Sequence, residues 1–147
     1  PVLALLAPLS PAQDEPLELD DAWVRALPPT QPTTAAYLQI RNTGDEEQVV
    51  VGASAEGAGR VEIHATREVD GMVRMQQLPQ LAVPAGGSVE LAPGGAHLML
   101  LDLERMPAPG QRVRLCLELA SGQRACTVAT ANKGGPDDDA VDHSHHH

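Results

Sequence analysis

The sequence contains no phenylalanine, and its only aromatic residues of the Phe, Trp and Tyr class are Trp23 and Tyr37. Flavin and haem pockets usually have aromatic walls, so this composition argues against both cofactors and leaves Val, Leu, Ile and Ala to build the core. Basic residues are also scarce, with 10 Lys and Arg against 20 Asp and Glu and a net charge of −10. Because nucleic acids and anionic lipid surfaces attract clustered cations, the charge balance argues against both as partners.

No apolar run is long enough to cross a membrane, which takes roughly 20 residues. The chain opens with a short apolar stretch broken by prolines, and Ser10-Pro11-Ala12 follows with the small residues typical of a signal-peptide cleavage site. We expect residues 1–16 to be a signal remnant, residues 17–131 to form one domain, and residues 132–147 to be an unstructured acidic, His-rich tail. The protein is therefore predicted to be exported to the periplasm or another extracytoplasmic space, with no membrane span in its mature form.

Long segments with helical spacing of apolar residues are missing as well. Short runs rich in Val, Leu and Ile alternate with Gly, Pro, Asn and Asp, which is typical of an all-β chain. Several short strands at this spacing indicate a β-sandwich or barrel, and 147 residues suit a single domain. The predicted strands are Leu17–Ala26, Ala35–Arg41, Gln48–Ala53, Arg60–Thr66, Met72–Leu78, Ser88–Leu91, His97–Leu103, Arg112–Leu119 and Ala125–Thr130.

Only two cysteines are present, Cys116 and Cys126. Between them, Ala120-Ser121-Gly122 is typical of a three-residue hairpin loop with glycine at the left-handed position. If Leu119 and Gln123 flank that loop, Cys116 lies directly opposite Cys126, where a disulfide can form in an oxidising compartment. We predict a structural disulfide, with a metal-binding dithiol as the alternative.

Four soft or borderline metal ligands stand out: His64, Met75, His97 and Met99. Strand side chains alternate between faces, so His97 and Met99 point to one side while Leu98 and Leu100 point to the other. The leucines can enter the core, which leaves the imidazole and the thioether together on the opposite face. We expect that face to be directed towards solvent.

The other two ligands are placed by a hairpin. Asp70-Gly71 is typical of a two-residue turn between antiparallel strands. With that turn, His64 lies opposite Gln77, and Met75 is its diagonal neighbour on the same face, about 7–8 Å away. Met72 is an odd number of residues from Met75 and faces the other way.

Thioether sulfur is soft and uncharged and imidazole is borderline, a combination that favours Cu(I). Zinc ordinarily recruits thiolate or carboxylate, and calcium requires oxygen ligands. A blue-copper electron carrier needs a cysteine ligand near a histidine, and neither Cys116 nor Cys126 is followed by one within the predicted domain. A copper oxygenase or dismutase would need more nitrogen ligands, so we expect no enzymatic activity. An adhesion or scaffold sandwich would leave the four ligands unexplained.

The spacing of the four ligands, His-x10-Met-x21-His-x-Met, resembles that of the periplasmic copper chaperone family PCu(A)C. The resemblance covers about Leu17 to Val128 and implies a cupredoxin-like Greek-key β-sandwich that holds Cu(I) with His64, Met75, His97 and Met99. The similar segments are Ala22–Arg25, Ala35–Leu38, Val61–His64, Val83–Gly87 and Pro93–Met99.

The resemblance also implies a function. A protein of this family would deliver Cu(I) towards the dinuclear copper centre of cytochrome c oxidase, directly to subunit II or through a Sco-type copper protein. The alternative is extracytoplasmic copper storage or scavenging without a dedicated oxidase client. We expect a monomer.

The C-terminal tail contains a second cluster of imidazoles, which is either native or in part a purification tag. Imidazoles without thioethers suit Cu(II) better than Cu(I). We therefore predict a separate, weaker Cu(II) site in the tail. Its ligands would be His143, His145, His146 and His147.

Overall fold

The computed structural model describes residues 16–134, and within this range the chain forms ten β-strands and no helix. Most of the predicted leader and the acidic, His-rich end of the tail lie outside the described residues. No helix in the described range could span a membrane. The strands are β1 (Glu18–Arg25), β2 (Thr34–Arg41), β3 (Gln48–Ala55), β4 (Ala58–Val69), β5 (Met72–Leu78), β6 (Leu81–Val83), β7 (Ser88–Leu91), β8 (His97–Leu103), β9 (Arg112–Leu119) and β10 (Arg124–Asn132).

Nine of these strands correspond to the nine predicted from the sequence: β5, β7, β8 and β9 have the predicted bounds, and the other five differ from them by one to three residues at one or both ends. Strand β6 has no predicted counterpart, because its three residues lie between Pro79 and Pro84 and are too few to show an alternating pattern. Strand β4 extends past its predicted end at Thr66 to Val69, which lengthens the β4–β5 hairpin.

The sheet closes on itself. Seven strands follow one another in the order β4-β8-β2-β1-β10-β9-β3, and a pairing between β3 and β4 completes the ring. Strands β5, β6 and β7 attach beside β4, β3 and β2, and β1 with β10 is the one parallel pair among the described strands. The all-β prediction is confirmed. The closed sheet is barrel-like, and its division into the two layers of a Greek-key cupredoxin sandwich stays a prediction.

The interior of the barrel is filled by aliphatic side chains, as the lack of phenylalanine predicts. Leu98 and Leu100 are almost fully buried there, while Trp23 and Tyr37 are buried outside this cluster. The other large side chains that are fully buried are Leu17, Leu38, Ile40, Leu91, Leu115, Leu117, Val24, Val50, Val83 and Val113.

An irregularity in β1 places Trp23. The register of β1 against β2 shifts between Asp20 and Trp23, and Asp21 has a positive φ of 53°. A bulge of this kind inserts an extra residue and reverses which side chains face inward. Val24 therefore enters the core, and Trp23 lies on the outer face opposite Tyr37.

The β9–β10 hairpin has the predicted register. Leu119 donates its backbone N–H to the carbonyl of Gln123, and Gly122 adopts the left-handed conformation with a φ of 93°. Cys116 pairs with Cys126, and the two form a disulfide. The predicted disulfide is confirmed.

Candidate metal centre

A row of side chains crosses five strands on the outer face of the barrel. His64 on β4 pairs with His97 on β8, and their ring centroids are 5.6 Å apart. The register of β2 against β8 places Tyr37 beside His97, and their ring centroids are 6.3 Å apart. Trp23 on β1 lies on the other side of Tyr37, with 4.7 Å between the centroids of these two rings. At the other end of the row, Gln77 on β5 pairs with His64. The two histidines are thus direct neighbours with an aromatic wall on one side.

Each histidine uses one ring nitrogen for a hydrogen bond and leaves the other without a partner. His64 Nε2 lies 2.9 Å from Glu62 Oε1, and His97 Nδ1 lies 3.4 Å from the carbonyl oxygen of Gly95. Because an ionised carboxylate and a carbonyl can only accept, both of these nitrogens carry the proton. His64 Nδ1 and His97 Nε2 are buried and have no hydrogen-bond partner among the described residues. Each offers a free lone pair, which is what a metal ligand requires.

The electrostatics of the site favour the ionised form of Glu62 and the neutral form of His97. The hydrogen bond from His64 lowers the pKa of Glu62 below its ordinary value, and Arg60 acts in the same direction. Burial lowers the pKa of His97, with a smaller contribution from neighbouring His64, although the hydrogen bond to Gly95 partly opposes the shift. His97 is therefore uncharged at neutral pH and available as a ligand.

Met99 lies next to this histidine pair. It pairs with Glu62 on β4, two residues before His64, and is partly buried. Leu98 and Leu100 point into the core, so the alternation predicted for β8 is confirmed.

Met75 occupies the predicted register and is the most exposed of the four side chains. Asp70 and Gly71 both have positive φ, 54° and 77°, as a two-residue hairpin turn requires, and His64 pairs with Gln77. Met75 pairs with Thr66, two residues beyond His64, and is 61% exposed.

The two methionines therefore lie on opposite sides of the histidine row. Met99 is level with Glu62 and Met75 with Thr66, four residues further along β4. That separation is about 13 Å of strand length. By register both methionines are diagonal neighbours of His64, and Met75 is the more exposed of the two.

We expected the ligands on the outer face to be exposed to solvent, and for His97, at the centre of the site, this is wrong. His97 is only 5% exposed, because it lies in the row between the rings of Tyr37 and His64. Exposure at the site comes from Met75 on β5.

This arrangement suits a soft, low-charge ion. Within residues 16–134, no group of three or more His, Cys, Asp or Glu side chains could hold a metal ion, so a site built from nitrogen, oxygen and thiolate donors is missing from this range. Two neutral imidazole nitrogens beside a thioether form a donor set that fits Cu(I).

Sequence reasoning did not identify three side chains around the ligands. Glu62 orients His64, and its position two residues earlier on the same strand face was a signal for that contact. Tyr37 and Trp23 belong to segments that resemble the PCu(A)C family, but their place in the row depends on the bulge in β1 and on pairings distant in sequence.

Comparison with known proteins gives one family match and one curated relative. The sequence profile of the LpqE-like lipoprotein family matches residues 17–131. The lipoprotein Lxx21020 of Leifsonia xyli subsp. xyli (strain CTCB07) is 33% identical over 111 residues, which is 75% of this chain. The match spans 66% of the length of that relative.

Solved structures with the same fold include copper proteins. The Cu(I)-bound solution structure of DR1885 from Deinococcus radiodurans is 33% identical with a TM-score of 0.66, covering 84% of this chain and 83% of that one. The apo PCuAC domain from PmoF1 is 23% identical with a TM-score of 0.66, covering 80% of this chain and 93% of the domain, and that likeness shows the fold alone. Together these matches confirm the resemblance drawn from the ligand spacing.

Proposed function

We propose that this chain, which belongs to the LpqE-like lipoprotein family, is an exported carrier of Cu(I) that holds one ion with His64, His97, Met99 and Met75. The observation that carries the proposal is the pair of buried imidazole nitrogens without partners on adjacent histidines. A buried polar atom left unpaired costs about 1–3 kcal/mol, and a bound ion removes that cost. The Cu(I)-bound form of DR1885 supports the choice of metal.

The ligands suit a carrier because all four are neutral. They leave the positive charge of Cu(I) uncompensated, so a partner that offers thiolates can outcompete them. Met75 is the most exposed of the four and lies on β5, an edge strand outside the closed ring. It is the ligand that a partner would displace first, while the buried histidines still hold the ion.

The proposed destination is the dinuclear copper centre of cytochrome c oxidase, through subunit II or a Sco-type protein. The ligand spacing and the resemblance to the PCu(A)C family support this client. Its test is transfer: Cu(I)-loaded protein should metallate the soluble copper domain of an oxidase subunit II, whereas a storage protein would keep its ion in the same mixture.

Copper binding itself is tested by anaerobic competition with a coloured Cu(I) chelator. We expect one Cu(I) per chain for a protein that ends at Asn132, and a loss of about tenfold or more in affinity for His64→Gln or His97→Gln, which is roughly 1.4 kcal/mol. Gln77→Ala is the matched control, because Gln77 lies in the same row but offers no soft ligand. Unchanged affinity in both histidine variants would refute the proposed site.

A further inference from the structure

Strand β5 is an unprotected sheet edge. It pairs only with β4, and six of its seven residues are exposed. The other two strands outside the closed ring are shorter and close to proline: β6 has three residues and is followed by Pro84, and β7 has four and is followed two residues later by Pro93. Proteins usually protect free edges with proline, charge or short length, whereas β5 contains no proline and a single charged residue, Arg74.

The β4–β5 turn determines which backbone groups of β5 are free. In a two-residue hairpin the residues that flank the turn form a hydrogen-bonded pair, and such pairs alternate along the ladder. Val69 and Met72 flank the turn, so Met72, Arg74 and Gln76 direct their backbone groups towards β4. The N–H and C=O groups of Val73, Met75 and Gln77 therefore point outward.

The two faces of the hairpin differ in chemistry. On the face shared with His64, Val73 and Met75 are 70% and 61% exposed. On the other face Arg67 lies directly opposite Arg74, and neither forms an ion pair with a described residue. Like charges at directly opposed positions are destabilising, and a carboxylate on a strand added to the free edge of β5 would lie beside Arg74 and offset that repulsion.

We propose that β5 accepts an extended segment of a partner protein as an added antiparallel strand. The segment would exchange backbone hydrogen bonds with Val73, Met75 and Gln77. Its side chains would alternate between apolar residues beside Val73 and a carboxylate beside Arg74. A second copy of this chain is a poorer partner. If two β5 strands paired with each other symmetrically about Met75, both Arg67–Arg74 pairs would lie on the same face of the combined sheet and would repel each other.

A strand in this position would lie next to Met75 and so within reach of the copper site. That consequence rests on the proposed carrier function. Strand addition does not, because it can be measured on metal-free protein.

The test uses two capped synthetic peptides and the metal-free full chain labelled with 15N. The first peptide has the sequence Thr-Val-Glu-Val-Glu-Val-Thr, and the second replaces both glutamates with lysine. We expect the glutamate peptide to bind and to slow hydrogen exchange at the amides of Val73, Met75 and Gln77, and the lysine peptide to leave them unchanged. Arg74→Gln should weaken binding of the glutamate peptide by about threefold to fivefold, as expected for one or two exposed ion pairs.

Val73→Pro removes an outward N–H without breaking the ladder to β4, and it should abolish peptide binding, whereas the control Val73→Thr should retain it. Three results would overturn the proposal. The first is that the peptide leaves hydrogen exchange at the three amides unchanged, and the second is that both peptides bind equally well. The third is that the amides become protected without peptide as the protein concentration rises, while light scattering shows a doubled mass. The last result would identify a second copy as the partner.

Discussion

At the scale of single residues, the position of a proton makes each histidine a ligand. His64 donates a hydrogen bond to Glu62 through Nε2, and His97 donates one to the carbonyl of Gly95 through Nδ1. The nitrogen without a partner is therefore Nδ1 in His64 and Nε2 in His97. The sequence predicted that both histidines would be ligands. It could not predict their tautomers, because these depend on Glu62 and on the path of the backbone at Gly95.

The two methionines of β5 provide a direct residue-scale test. Met75→Leu retains volume and apolar character, so we expect little change in the free energy of unfolding. It removes a thioether and should weaken Cu(I) binding about tenfold or more, which is roughly 1.4 kcal/mol. Met72→Leu is the matched control, because Met72 is similarly exposed and faces the other way. Equal losses in chelator competition would show that the hairpin register is wrong, and a loss in Met72→Leu alone would refute the assignment of Met75.

Glu62 is predicted to act as a positioning residue. Glu62→Ala leaves His64 Nε2 without its acceptor, and loss of such an outer contact typically lowers metal affinity by about 10-fold to 100-fold. Glu62→Gln should restore most of the affinity, since its amide oxygen can accept the same hydrogen bond.

The control for this contact is Glu68→Ala, which removes an exposed carboxylate further along the same strand. Cu(I) affinities of the three variants, measured together with their unfolding curves, separate positioning from general damage. If Glu62→Ala binds Cu(I) as tightly as the unaltered protein, the carboxylate does not orient the ligand.

At the scale of strands and hairpins, local signals were sufficient for most of the fold. Alternation located nine strands, and the turn residues Asp70-Gly71 and Gly122 fixed the registers of two hairpins. Pairings between strands that are distant in sequence could not be predicted in this way. The closure between β3 and β4 and the parallel pair of β1 with β10 have no turn to mark them. The burial of His97 was missed for the same reason, since it depends on Tyr37 from β2.

The β9–β10 hairpin allows a prediction about the disulfide. A Cys116→Ser, Cys126→Ser double variant should lose roughly 2–4 kcal/mol of unfolding free energy, because the unfolded chain is no longer cross-linked. Its Cu(I) affinity should stay unchanged, since both cysteines lie on strands that carry none of the four proposed ligands. Urea unfolding and chelator competition measure the two quantities. Copper affinity that falls with the disulfide would mean that the cysteines take part in metal binding.

At the scale of the whole molecule, the charge of −10 and the neutral ligand set act in different ways. Net charge influences which partners approach, and it attracts basic surfaces over several ångströms at low salt. The ligand set determines which ion is held and how readily a thiolate can remove it. The Arg67–Arg74 pair is a local exception to the acidic charge, which is why its hairpin is predicted to select an acidic segment.

The C-terminal histidines allow a separate prediction at this scale. They lie outside the described residues, and their chemistry suits Cu(II). A protein that ends at Asn132 should lose Cu(II) binding and retain its full Cu(I) affinity. Calorimetric titration with each oxidation state distinguishes the sites, and Cu(II) binding that survives truncation would show that the tail is not involved.

The central claim is that one Cu(I) is held by imidazole and thioether donors together. X-ray absorption at the copper edge, on Cu(I)-loaded protein ending at Asn132, counts nitrogen and sulfur scatterers around the ion. We predict nitrogen and sulfur donors in equal number, with the sulfur contribution reduced in Met75→Leu and unchanged in Met72→Leu. A first shell of nitrogen or oxygen alone, or one that Met75→Leu leaves unaltered, would contradict the account.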